Sequence, residues 1–169
     1  RRKFCHCVIW QPGSRYRQND RTFRHPATKG VVFKKSLFRS GIFRAKYDEE
    51  KLSQELQNTL GKNTTLGSDK LQTGLLIVTK RVDTASPWPL SNNPKGKFYN
   101  SQKDGVIANS EYLLWKIVRA STAAPTYFDP ECITIAKQEG HKTVTGNFVD
   151  GGVTCFNNPA LQALMYVTM

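Results

Sequence analysis

Phe148-Val149-Asp150-Gly151-Gly152 is the stretch of this chain with the clearest capacity for chemistry. An apolar pair runs straight into one aspartate, and two glycines follow. A buried strand that ends this way presents a single carboxylate at the edge of its sheet. The glycines admit a close approach of neighbouring groups that a side chain would block. Asp-Gly is also an ordinary turn dipeptide. A lone carboxylate so placed can be a general base, a metal ligand, or the orienting partner of a nucleophile. Carboxylate-pair chemistry needs further acids, and only Asp129 and Glu131, in a turn, lie near in sequence.

Serine catalysis in an α/β frame calls for a Gly-x-Ser-x-Gly elbow, a strained turn that thrusts the hydroxyl outward. No serine here has glycines at both −2 and +2. Ser40 precedes Gly41 but has Phe38 at −2, and Ser14 follows Gly13 directly. A Gly-rich run fit for an oxyanion hole is missing too. Cys5-His6-Cys7 with His25 offers four zinc ligands, but a one-residue Cys spacing is atypical of structural zinc. No metal and no cofactor are expected.

The elements that must position Asp150 follow from the pattern. Asp48 and Gly61 bracket a segment in which Leu52, Leu56 and Leu60 recur every four residues, an amphipathic helix. Leu75-Leu76-Ile77-Val78-Thr79 reads as a buried strand. Ala85 to Pro94 carries three prolines and is expected to be a long loop. Glu111 to Ala120 has helical character and passes into Ser121-Thr122-Ala123-Ala124-Pro125, small residues that let a helix end pack closely. Tyr127-Phe128 and Ile133-Thr134-Ile135 look like strands, and Gln138 to His141 like a turn. Thr143 to Val149 is the strand that delivers Asp150. Pro159 suits a first helical turn, with a helix from Ala160 to Met169. Strands alternating with helices indicate an α/β class.

At 169 residues, 38% of them hydrophobic, the chain suits one domain with a real core. No run approaches the roughly 18 to 20 apolar residues of a membrane span. The basic start turns polar too soon for a secretory leader, and the absent initiator Met suggests a chain incomplete at its beginning. Four Cys in two distant pairs favour free thiols in a reducing compartment. The net charge of +12 is confined to one end. Residues 1–47 hold 13 Lys/Arg and one acid, Asp20, while 48–169 hold 12 basic and 12 acidic residues. A balanced surface over most of the chain argues against a nucleic-acid-binding domain. The Arg-rich, aperiodic first 28 residues read as loop or disorder.

Three motifs in series amount to a resemblance: Arg119-Ala120-Ser121-Thr122-Ala123-Ala124-Pro125-Thr126-Tyr127-Phe128, then Asp150-Gly151-Gly152-Val153, then Asn157-Asn158-Pro159-Ala160. From about Gly30 to Met169 the chain resembles the C-terminal part of a bacterial patatin-like phospholipase domain. Lys46-Tyr47-Asp48 and Trp88 to Pro94 fall in the order expected there. The resemblance implies a three-layer α/β/α sandwich that cleaves lipid esters with a serine–aspartate dyad. Asp150 would be the dyad's proton acceptor, with Gly151 and Gly152 leaving room for its contact with the serine. Asn157, Asn158 and Pro159 would fix the loop, and Arg119 to Pro125 would pack beneath the site.

Residues 1–29 depart from that pattern, lacking the oxyanion loop and the elbow. The expectation is therefore an incomplete sandwich, with residues 1–29 a basic, poorly matched stretch and 30–169 the C-terminal portion of one domain, inactive alone and open to aggregation at its bare sheet edge. The expected partner is a phospholipid or other lipid ester, with a cytoplasmic location and peripheral membrane contact as an option. The alternative is a non-catalytic module whose basic N-terminal arm docks on anionic membrane or nucleic acid.

Overall fold

Leu75 to Thr79 are buried in unbroken succession, and the rest of the fold is arranged around them. The computed structural model describes residues 49–101, 103–137 and 143–168, and the backbone of 7–10. In chain order the elements are β1 (Cys7–Trp10), α1 (Glu49–Leu60), β2 (Gly74–Arg81), β3 (Pro87–Ser91), α2 (Leu114–Ser121), β4 (Glu131–Lys137), β5 (Thr143–Asp150) and α3 (Ala160–Thr168). Single 3-10 turns cover Asn109–Glu111 and Gly151–Val153.

The strands form one mixed-order sheet whose described pairings are all antiparallel. Leu76 and Ile77 pair with both β1 and β3, while Thr79 and Lys80 pair with both β3 and β5. So β3 covers one edge of β2, and β1 and β5 share the other. β4 then pairs with β5. Helix α2 lies against β2, β4 and β5, and α1 packs on α2. Leu75 and Ile77 join Ile117, Ile133, Ile135 and Phe148 in the main core. Leu76 and Val78, pointing to the opposite face, are buried as well. Both faces of this strand are thus covered.

Helix α1 has its expected bounds. Leu52 is buried with Ala123 and Phe128, and Gly61, at φ +88°, donates its N–H to Gln57 O at 2.9 Å and closes the last turn. The Asp48 cap and the Gln138 to His141 turn lie outside the described residues. Three expectations need correction. Within the stretch read as loop at the start, Cys7–Trp10 form β1, because β2 offers them a partner edge. Ala85 to Pro94 is not all loop, since Pro87–Ser91 is strand β3. Arg81 N and Asn92 N donate to Ser86 O and Leu75 O, which sets Pro87 and Pro89 at the non-hydrogen-bonded positions of the ladder. Their missing N–H groups point off the sheet's outer edge and cost no bond. Tyr127-Phe128 is a turn, with both N–H groups donating to Ala124 O, and the strand starts only at Glu131.

A charge cluster joins the helices to β4. Arg119 is 1% exposed, its Nη2 lies 3.5 Å from Glu49 Oε2, and it donates to Asp129 O at 3.3 Å. The guanidinium stands 5.3 Å from the centre of the Phe128 ring. Its Nε and Nη1 have no hydrogen-bond partner among the described residues. Glu131, 3.8 Å from Lys116 Nζ, has its carboxyl pushed up by burial, against the opposing pull of Arg119 and Lys116. A carboxyl raised on folding stabilises fully below its unfolded value, and that contribution is lost as pH rises through the folded value. The urea-unfolding midpoint of Glu131→Gln should therefore gain on that of the unaltered chain as pH rises from about 4 to about 7. A difference that stays constant across that range contradicts the assignment.

Candidate active site

Asp150 is the last residue of β5, half-buried behind the fully buried Phe148 and Val149. It stands opposite Thr79 of β2, and its N–H donates to Ala123 O at 3.0 Å. Two elements therefore hold its backbone: the central strand and the small-residue segment after α2. The carboxylate is held as well, since Oδ1 accepts the Gly152 N–H at 2.8 Å and so caps the following 3-10 turn.

Gly151 explains why this turn needs its first glycine. A Cβ there would run into the carbonyl of Val78, and its φ is not positive, so close approach rather than turn geometry demands glycine. Ser121 reaches the same carbonyl from beneath, donating its Oγ–H at 2.8 Å from a site only 1% exposed. The loop beyond is pinned locally. Thr154 Oγ1 donates to Gly151 O at 2.7 Å and accepts the Phe156 N–H at 3.0 Å, and Lys80 Nζ donates to Val153 O at 3.4 Å. Asn158 Oδ1 accepts the Ala160 N–H at 3.2 Å, at the start of α3.

The residues singled out from the sequence thus fall into two groups. Asp150, Gly151 and Gly152 form one compact turn, and Ser121 and Ala123, at the end of α2 and just beyond it, bond to the backbone around it, while Arg119 faces α1. Asp129 and Glu131 belong to the Arg119 cluster instead. Cys132 and Cys155 are free and exposed. The Cys5, His6 and His25 side chains lie outside the described residues, as does that of Cys7. Among the described residues no three His, Cys, Asp or Glu gather as a metal site. The role of Ser121 was not readable in advance, because a small residue after a helix signals close packing and not a particular acceptor.

A cavity of about 460 Å³ opens elsewhere, between the start of β2, the segment 91–95 and α3. Leu66, Leu75, Leu76, Ser91, Lys95 and Tyr166 are among its walls, and Asp150 is not. Thr79, which faces Asp150, is three residues along the strand from Leu76, roughly 10 Å away. The cavity and the Asp150 turn are thus separate features of the fold.

A mixed α/β domain with a strand-end aspartate over a glycine pair is the class of protein that fold and site define. The family model for patatin-like phospholipases matches residues 11–164, and the chain belongs to that family. That match starts ahead of Gly30, taking in much of the basic stretch. No curated protein matches the chain. The family acts on lipid substrates, and its members are usually lipid ester hydrolases.

Gly151→Ala should destabilise the fold by about 1–3 kcal/mol, the range for forcing a methyl into a packed site. Urea unfolding measures it, and a midpoint equal to that of the parent chain would exclude the close approach to Val78.

Proposed function

We propose that Asp150 is the proton acceptor of a serine–aspartate dyad that hydrolyses phospholipids or other lipid esters. The observation that carries this reading is the fixed carboxylate: one oxygen bound by Gly152 N–H, on a backbone bound to Ala123 O. In this role Asp150 takes the hydroxyl proton as the serine attacks the acyl carbonyl, then returns it to the leaving alcohol. A carboxylate is a weak base toward an alcohol, so the step depends on contact and on a dry, oriented site. Gly151 and Gly152 leave room for that contact. The covering of both faces of β2 supports the three-layer sandwich of the family. The reading includes a cytoplasmic location and peripheral contact with membrane.

No serine of this sequence stands in a Gly-x-Ser-x-Gly elbow, so the chain by itself should not turn over lipid esters. Loss of a serine nucleophile costs on the order of a million-fold in a serine hydrolase. Joining residues 30–169 to the nucleophile-bearing first half of an active patatin-like enzyme should restore hydrolysis of a long-chain p-nitrophenyl ester. Asp150→Asn in that chimera should then lose on the order of 10⁴-fold in kcat. Retained activity in Asp150→Asn would reject the dyad, and robust turnover by the unmodified chain would reject the missing nucleophile.

The charge asymmetry favours a second reading, a non-catalytic module whose basic N-terminal arm docks on anionic membrane or nucleic acid. Replacing Arg1, Arg2, Arg15, Arg17, Arg21 and Arg24 with Gln, which leaves β1 in the chain, should then abolish co-sedimentation with anionic vesicles or DNA at low salt, and undiminished binding would remove this reading.

A further inference from the structure

Thr126 holds a backbone conformation that its side chain disfavours. Its φ is +68°, in the left-handed region, where a β-branched residue is rare and glycine or asparagine is at ease. Such a conformation persists only where the surrounding structure fixes it. Pro125, Thr126 and Tyr127 are all exposed, so burial of their side chains does not impose it. The two ends of the turn do, because both are fastened.

The first end is fastened to the candidate site. Ala123 is buried, and its carbonyl takes the Asp150 N–H at 3.0 Å. Ala124 N–H bonds back to Thr122 O at 2.8 Å, and Pro125 disfavours helical backbone at Ala124. The chain then reverses, with Tyr127 N–H and Phe128 N–H both donating to Ala124 O at 3.1 Å. The second end is fastened to α1. Phe128 is buried with Leu52 and Ala123. Glu49, the first residue of α1, uses both carboxylate oxygens here: Oε1 accepts the Asp129 N–H at 2.7 Å, and Oε2 lies 3.5 Å from Arg119 Nη2. The same Nη2 donates to Asp129 O at 3.3 Å, so Asp129 is gripped at its N–H and its carbonyl alike. Residues 124–128 thus run from the acceptor of the Asp150 N–H to the Glu49–Arg119 pair, with the strained residue in the middle.

We infer that this turn is a strap through which the start of α1 holds the backbone of Asp150. With Glu49 in place the strap stays closed, and the Ala123 carbonyl stays on the Asp150 N–H. With Glu49 released, Thr126 leaves the left-handed region, and the N–H groups of Tyr127 and Phe128 leave Ala124 O. The segment ahead of the turn then loses its orientation, and the Asp150 N–H opens with it. Glu49 and Thr126 are positioning residues, which act through Ala123 and touch no reacting atom. The bearing of the strap on catalysis rests on the dyad reading, whereas the coupling belongs to the backbone and needs no turnover.

Amide hydrogen exchange of the full chain, followed by NMR, tests it, because such exchange reports local opening residue by residue. The Asp150 amide is the probe. The Leu66 amide, bonded to Tyr112 O at 2.8 Å in the main core, is the control. Glu49→Ala should lower protection of the Asp150 amide by about tenfold and leave that of Leu66 within about twofold. Glu49→Gln keeps an oxygen for the Asp129 N–H but no charge against Arg119, so it should act in the same direction and less strongly. It also serves as the reading if the alanine variant fails to fold. Thr126→Asn, which suits the left-handed region, should raise Asp150 protection in the parent and restore much of it in the Glu49→Ala chain. Asp150 protection that ignores both Glu49 variants would overturn the inference, as would an equal loss at Leu66 or an asparagine that restores nothing. An amide is the readout, so failure here leaves the dyad standing, and failure of the dyad leaves the strap standing.

Discussion

The carbonyl of Val78 is the group on which the site depends. Val78 faces Pro89 across a non-hydrogen-bonded position of the β2–β3 ladder, so its peptide groups point to the other edge of β2. On that edge β1 ends at Ile77 and β5 begins at Thr79, leaving Val78 in the gap between two strands. A buried carbonyl without a partner costs on the order of 1–3 kcal/mol. Ser121 supplies the hydrogen bond, and Gly151 closes over the same atom with no side chain between. Helix α2 is tied to the sheet at this point, and β5 must turn here. The turn is where Asp150 stands.

That gap explains why the small-residue segment after α2 matters to the aspartate. Ser121 binds Val78 and, two residues on, Ala123 O takes the Asp150 N–H. Both Ser121 and Ala123 are almost wholly excluded from solvent, so larger side chains have nowhere to go. On the far side Arg119 joins the end of α2 to Glu49 of α1 and to the backbone at Asp129. Burying a guanidinium whose Nε and Nη1 find no partner among the described residues is expensive, and its hold on three segments at once is what it contributes in return.

The elements legible in the sequence are those whose local pattern and tertiary setting agree. Leucines every four residues with a closing glycine gave α1, and an unbroken β-branched run gave β2. Asp-Gly-Gly after an apolar strand gave both the end of β5 and the candidate base. The prolines of β3 misled because proline forbids a strand only where its N–H would be used, and which positions those are depends on the register with β2. Tyr127-Phe128 have strand propensity, but the turn that brings Phe128 onto Leu52 and Arg119 overrides it. Ser121's acceptor was invisible for the same reason: Val78 lies 43 residues away, and only the gap between β1 and β5 makes its carbonyl available.

The groups that position Asp150 are nearly all backbone: the register with Thr79, the carbonyl of Ala123 and the N–H of Gly152. Side-chain replacement can shift such a frame only by forcing the chain apart, as a methyl at Gly151 would. The base of the proposed dyad is thereby built before any nucleophile arrives, on a strand end stiffened from both sides. A weak base gains most from such an arrangement, because the reorganisation it would otherwise need at the moment of proton transfer has been met in folding. The same rigidity extends through Thr154 and Asn158 to the start of α3.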